Sequence, residues 1–133
     1  GMSPVLFRLS LVAVGICVII QLLEYNIVAL CVFALRAQPQ TAWIQEDACR
    51  LIGRAAARSA DSQTAVLQAG GIELMVSALR SHQHDPSLQS SACTALANMA
   101  GSSAQIRAAV ARAGAITHVI AALRAHREDA SVQ

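Results

Sequence analysis

The chain has 133 residues and a formal net charge of +2 at pH 7, and all ten of its cationic residues are arginines. These arginines are scattered along the sequence, so the charge pattern argues against a nucleic-acid-binding protein. Hydrophobic residues make up 55% of the chain and aromatic residues only 3%, a composition typical of one domain of closely packed, alanine-rich helices.

The N-terminal residues 5–35 are nearly all apolar, with Arg8 and Glu24 as their only charges. A membrane helix needs about 20 apolar residues, so membrane contact is one interpretation, and a targeting sequence is another. Several sequence features recur 44 residues later along the chain, and this repeat favours a third interpretation. A shift of 44 places Asn26 over Gly70, the glycine at which a later predicted helix ends. We therefore expect a soluble array in which this helix is broken at Tyr25-Asn26.

The same segment carries more apolar side chains than one face of a helical array can bury. A contiguous apolar patch usually marks an interface, and its burial at about 25 cal/mol per Å² would favour association. We therefore predict a homodimer, or a missing partner, through this surface. The interface residues that we expect are Phe7, Leu11, Val14, Val18 and Phe33.

A long helix is predicted over residues 41–58, and Glu46, Arg50, Arg54 and Arg58 follow one another on it at intervals of four. One interpretation is a solvated face with a Glu46–Arg50 ion pair. The other is a binding surface for acidic or carboxylate-bearing peptides. In that surface arginine is a bidentate donor and Trp43 is an apolar anchor.

The helices that follow have clear start and stop signals. A short helix over residues 62–68 ends at Ala69-Gly70-Gly71, where glycine permits a positive φ. Asp85 and Pro86 are the N-cap and first residue of a helix over 86–100. The other predicted helices lie near residues 28–37, 72–82, 104–112 and 115–126. The buried stripes that we expect are Val28, Cys31, Val32 and Leu35; Ile72, Met75, Val76 and Leu79; and Leu88, Ala92, Ala95, Leu96 and Met99.

The pattern recurs with a period of 44, since Ala-Leu-Arg stands at 34–36, 78–80 and 122–124. A fixed period of this length indicates a stacked array of helical units. Residues 61–133 resemble armadillo (beta-catenin-like) repeats in the Ala-Gly-Gly/Ala-Ile elbow, the A-L-R end of helix two and the A-L-x-N-x-A end of helix three. The resemblance implies an all-α, right-handed superhelical solenoid of three-helix units with period 44, in a single domain over residues 1–133.

The expected units are a partial one over 1–26, complete ones over 27–70 and 71–114, and a partial one over 115–133. Repeat arrays generally need about three units, and this chain offers about two and a half, so we expect a fragment of a longer array.

The resemblance also implies a function. Armadillo repeats are non-enzymatic scaffolds whose third helices line a groove that binds extended peptides or partner proteins. The family's recurrent asparagine corresponds to Asn98 in this sequence, and Thr94 stands where the family has a peptide-binding tryptophan. The alternative function is a membrane-associated adaptor anchored by residues 5–35.

The remaining reactive side chains predict no chemistry. The four cysteines form no C-x-x-C pair, and Cys49 and Cys93 are equivalent in the repeat, so we expect reduced core residues of a cytoplasmic protein. His82 and His84 suggest a solvated loop and no metal site. Because the sequence offers no nucleophile with a base and no phosphate-binding loop, we expect neither an enzyme nor a cofactor.

Overall fold

The computed structural model describes residues 3–121 and residue 124. Within this part of the chain all regular structure is helical and no strand is present, which confirms the all-α prediction. The helices are α1 (Pro4–Ala37), α2 (Ala42–Arg58), α3 (Ala60–Gln68), α4 (Gly71–Ser81), α5 (Pro86–Ala100), α6 (Ala104–Arg112) and α7, which begins at residue 115 and is described through residue 121. Most of the predicted extension of α7 to residue 126, and of the expected unit to residue 133, lies outside the described residues.

The first helix shows that the predicted break at Tyr25-Asn26 is wrong, because α1 continues without interruption from Pro4 to Ala37. The turn between α3 and α4 and the turn after α6 each contain a glycine in the left-handed conformation. Among the described residues only these two, Gly70 (φ 78°) and Gly114 (φ 79°), have a positive φ. An asparagine in that conformation bears a Cβ cost that glycine avoids. Continuing the helix preserves the backbone hydrogen bonds that a break would leave without partners.

The helix starts follow the capping residues of the sequence. Ser59 and Ser103 stand 44 residues apart and cap α3 and α6, and each hydroxyl accepts a backbone N–H three residues further on, at 3.3 and 3.2 Å. The carboxylate of Asp85 caps α5 by accepting the N–H of Leu88 at 3.1 Å, with Pro86 as the first helical residue. These caps satisfy N–H groups that have no partner within their helix.

The core consists of the stripes that the periodicity predicted. All thirteen side chains of the three predicted stripes are buried, and none is more than 4% exposed. The stripe of α1 lies in its last ten residues, which pack against α2, α3 and α4. The C-terminal end of α1 is therefore part of the repeat domain, whereas the preceding residues are exposed except for the half-buried Glu24.

Two buried glutamines connect consecutive helices in the same way. The Nε2 of Gln45 donates to the carbonyls of Leu35 and Gln38, at 3.1 and 2.9 Å. The Nε2 of Gln89, 44 residues later, donates to carbonyls at the end of α4, at 3.0 and 2.8 Å. Each amide thus satisfies carbonyl groups at the C-terminal end of a helix. We call this pair of contacts the glutamine clamp.

Among the described helices, α2 and α5 have the most extensive contact. A Cβ added to Gly53 would stand 3.1 Å from the Cα of Ala95 and 3.2 Å from its Cβ, so glycine permits the two backbones to approach. Small residues at a crossing allow this separation, as in other tightly packed helix pairs. The contact brings the outer faces of α2 and α5 side by side and forms the floor of a groove.

Candidate functional site

A groove of about 330 Å³ lies between α2 and α5. Its floor is Gly53 and Ala95, at the contact between the two helices, and its walls carry six polar side chains among apolar surface. The residues that line the groove are Arg50, Gly53, Arg54, Ala57, Ser90, Ser91, Thr94, Ala95 and Asn98. Two guanidinium groups, three hydroxyls and one amide therefore point toward one space, and these are donors suited to carboxylates and to peptide carbonyls.

The two arginines of the groove differ in their partners. Arg50 pairs with Asp47 one turn earlier on α2, and its guanidinium lies 3.7 Å from Glu46. The Glu46–Arg50 pair that the spacing predicted is therefore present, and Asp47 adds a second carboxylate. Among the described residues Arg54 has no ion pair. Of the two arginines in the groove, Arg54 is thus the one without a carboxylate partner.

Asn98 has a structural partner that the sequence did not reveal. Its Nδ2 donates to the carbonyl of Gly53 at 3.1 Å and so connects α5 to α2 across the floor of the groove. One of the two N–H donors of this amide is therefore already used, which leaves one donor for a peptide backbone. Thr94, one turn earlier, is exposed and lines the same groove.

Two of the predicted peptide-binding residues lie outside the groove lining. Trp43 stands near the start of α2 with 67% of its surface exposed. The carboxylate of Glu46 accepts a hydrogen bond from the hydroxyl of Ser87 at 2.6 Å, which joins the starts of α2 and α5. The structure thus brings Arg50, Arg54, Thr94 and Asn98 together and leaves Trp43 and Glu46 beyond one end of the lining.

Ser90 and Ser91 also line the groove, although they were not among the predicted site residues. A signal was present, because Ser90, Thr94 and Asn98 follow at intervals of four on α5 and must share one face of it. Ser90, Ser91 and Thr94 thus line the groove together with Arg50 and Arg54.

The second candidate surface is the exposed part of α1, residues 4–27, which we call the overhang. The expected interface residues Phe7, Leu11, Val14 and Val18 belong to it, and between 47% and 61% of the surface of each is exposed. Phe33 is 65% exposed on the part of α1 that packs on the domain. No contact within the described part of the chain covers these side chains, which is the arrangement that an interface requires.

The cysteines differ more than the sequence suggested. Cys31 and Cys49 are buried, but Cys93 is only partly buried and Cys17 is exposed on the overhang, so core positions for all four are wrong. Burial raises the pKa of Cys49 to about 12, with smaller contributions from Cys31 and Cys93. Burial also raises the pKa of Cys93. A neutral, buried thiol is a poor nucleophile, so these positions fit packing and not catalysis.

The loop after α4, which carries His82 and His84, contacts the loop after α1. A ring nitrogen of His82, Nε2, lies 2.9 Å from the carbonyl of Pro39. The described residues contain no group of three or more histidine, cysteine, aspartate or glutamate side chains that could hold a metal ion.

The helices, elbows and groove define the class as an all-α repeat protein, and comparison with known proteins specifies the repeat. The armadillo/beta-catenin-like repeat family model matches residues 59–101, which cover α3, α4 and α5. No curated protein and no solved structure matches the chain. The chain therefore contains an armadillo-like repeat, as the resemblance indicated. Repeats of this family generally mediate protein–protein interaction.

Proposed function

We propose that the protein is a non-enzymatic scaffold that binds an extended peptide, or an extended segment of a partner protein, in the groove between α2 and α5. The observation that carries this proposal is the presence of Arg50, Arg54, Ser91, Thr94 and Asn98 in the lining of one groove. The polar side chains among them can bind a peptide backbone. The uncompensated charge of Arg54 favours an acidic side chain next to it.

The proposal includes a right-handed superhelical solenoid with a period of 44 residues. Support comes from three pairs of equivalent features separated by that distance: the glutamine clamp, the serine caps of α3 and α6, and the left-handed Gly70 and Gly114. In such an array the third helices of successive units line one continuous surface. The groove between α2 and α5 is then one segment of a longer binding surface.

A binding experiment tests the groove with a defined probe. The probes are a synthetic decapeptide rich in glutamate and its glutamine counterpart, each labelled with fluorescein, and the signal is the fluorescence anisotropy of the peptide. We expect Arg54→Ala to weaken binding of the acidic peptide by up to about 1 kcal/mol, because an ion pair at an exposed arginine is lost. Arg54→Ala combined with Asn98→Ala should weaken it further. Added salt should reduce the affinity, since exposed charge pairs are screened over about 8 Å at physiological ionic strength.

The matched control is Arg80→Ala, which removes the same charge from an exposed position on α4. Equal losses for Arg54→Ala and Arg80→Ala would mean that the peptide responds to net charge alone and would contradict groove binding. The glutamine peptide should bind more weakly than the glutamate peptide to the wild-type protein. Thermal unfolding of each variant separates binding from the structural contact of Asn98 with Gly53.

A second candidate function is a membrane-associated adaptor whose repeat domain lies in the cytoplasm. The observation that favours it is the overhang, because α1 is long and apolar enough to cross a membrane and the most apolar part of it is exposed. A reducing compartment suits the free cysteines of the described chain. Groove binding and membrane association are compatible, since they use different surfaces.

A further inference from the structure

The central residues 11–20 of the overhang are apolar around the whole circumference of the helix. Its most apolar window of 18 residues has a mean hydropathy of 2.4, and none of that window is buried. A helix that is hydrophobic on all sides is either buried in a large core or surrounded by lipid. The large exposed apolar residues of its first twenty positions are Val5, Leu6, Phe7, Leu9, Leu11, Val12, Val14, Ile16, Val18, Ile19, Ile20, Leu22 and Leu23.

We propose that α1 crosses a lipid bilayer once, with Val5 to Leu23 in the hydrocarbon core. The proposal rests on the membrane-associated function above and specifies how the membrane is engaged. A helix from Val5 to Leu23 rises about 28 Å, close to the roughly 30 Å thickness of the hydrocarbon core. The bilayer is thus the occupant of the exposed surface.

The distribution of polar residues along the overhang supports a crossing helix. Residues 11–20 contain only apolar side chains, one glycine and Cys17. The polar side chains lie toward the ends: Arg8 and Ser10 on one side, and Gln21 and Glu24 on the other. Arginine near the end of a span extends its guanidinium to the membrane surface, and Glu24 lies just outside the proposed hydrocarbon segment. Tyr25 follows Glu24, at the level where tyrosine is enriched in membrane proteins.

A helix lying on the membrane surface would have a different pattern. Such a helix needs a polar face along its whole length, opposite an apolar one. The central residues 11–20 offer no polar face, so immersion of one side would leave apolar side chains in water. The overhang therefore fits a crossing orientation better than an interfacial one.

A soluble homodimer would also leave the overhang partly uncovered. At 100° per residue, Phe7, Leu11 and Val18 share one side of α1, whereas Leu9 and Ile16 lie on the opposite side. A two-helix contact through the first group covers one stripe and leaves the second group in water. Leu9 is 59% and Ile16 is 52% exposed, so this second stripe needs a cover as much as the first. A bilayer covers both stripes at once.

The continuity of α1 fixes the position of the repeat domain. Val28, the first buried residue of α1, follows Glu24 by about 6 Å of helix rise. No flexible linker separates the proposed span from the domain, because the helix continues without a break to Ala37. The domain is therefore held against the membrane surface in one orientation, and the distance between the groove and the membrane is fixed.

The test uses the full chain reconstituted in phosphatidylcholine vesicles. Flotation on a density gradient first shows whether the protein associates with the vesicles. A membrane-impermeant maleimide is then added to intact vesicles, and the labelled positions are located by peptide mass mapping. Cys17 reports the middle of the span, and two introduced thiols, Ser3→Cys and Gln40→Cys, report its two sides. The wild-type protein, labelled in parallel, gives the reactivity of the native thiols.

We expect the protein to float and Cys17 to react at least about tenfold more slowly than Gln40→Cys, since a membrane-impermeant maleimide does not enter the hydrocarbon core. Each molecule that carries both introduced thiols should react at one end only while the vesicles are intact, and at both ends after lysis. Reaction at both ends in intact vesicles would mean that α1 lies on the surface, which overturns the crossing but retains membrane association. Failure to float would overturn both, and a soluble dimer in sedimentation would then identify the second copy as the occupant.

Discussion

Replacing Leu35 with alanine will lower the free energy of unfolding by about 2 to 5 kcal/mol, the range for large-to-small substitutions in a packed core. Leu35 is 1% exposed and belongs to the stripe through which α1 packs on the rest of the domain. Its removal leaves a cavity between helices that cannot close without moving α1. Urea unfolding followed by circular dichroism, in one detergent for all variants, measures the change.

The control is Leu30→Ala, the same substitution five residues earlier on the same helix. Leu30 is 67% exposed, so its truncation should change the free energy of unfolding by no more than about 0.5 kcal/mol. The helix propensity change is identical in the two variants, and the difference between them isolates packing. Similar effects of the two substitutions would show that the C-terminal end of α1 is not part of the cooperative domain.

The fold could be predicted from the sequence wherever periodicity and capping residues agreed. The stripe Ile72, Met75, Val76 and Leu79 has the spacing of one helix face. Gly70 marks the start of that helix, α4, and Asp85 marks the start of α5. An apolar stripe with helical spacing, a glycine at a helix end and an N-cap residue are signals carried by a few neighbouring residues, so they can be identified in the sequence. For that reason the predicted bounds of α5 and α6 are those observed.

The break at Asn26 could not be decided from the register alone. The repeat placed asparagine where other units have glycine, but a register does not state the energy of the left-handed conformation at that residue. The apolar residues on both sides of Asn26 are compatible with one long helix. Local propensity therefore prevailed over the repeat, and the consequence is functional, because an unbroken α1 carries the overhang away from the domain.

The site was predictable in part for a related reason. Arg50 and Arg54 are four residues apart, as are Thr94 and Asn98, so each pair had to share a helix face, and the packing of α2 against α5 brings the two faces together. The sequence could not show that Gly53 lies against Ala95 or that its carbonyl accepts a hydrogen bond from Asn98. Contacts between helices depend on their separation, which a one-dimensional pattern does not contain.

Replacing Gln89 with methionine will lower the free energy of unfolding by about 2 to 4 kcal/mol. Methionine has nearly the same length and volume, so the change removes the amide without leaving a large cavity. Two hydrogen bonds to the carbonyls of Leu79 and His82 are lost, at 3.0 and 2.8 Å. Each lost bond costs about 1 kcal/mol, and a buried carbonyl left without a donor adds to the loss. Urea unfolding measures the effect.

The glutamine clamp gives this prediction an internal replicate. Gln45→Met removes the equivalent contacts to Leu35 and Gln38, so its effect should be similar. The double variant should lose roughly the sum of the two free energies, because the two glutamines share no partner. Gln83→Met is the control, since Gln83 is exposed and its substitution should change the free energy of unfolding by no more than about 0.5 kcal/mol. If Gln89→Met costs no more than Gln83→Met, water satisfies the helix-end carbonyls as well as the amide does. The clamp would then be a consequence of the packing and not one of its causes.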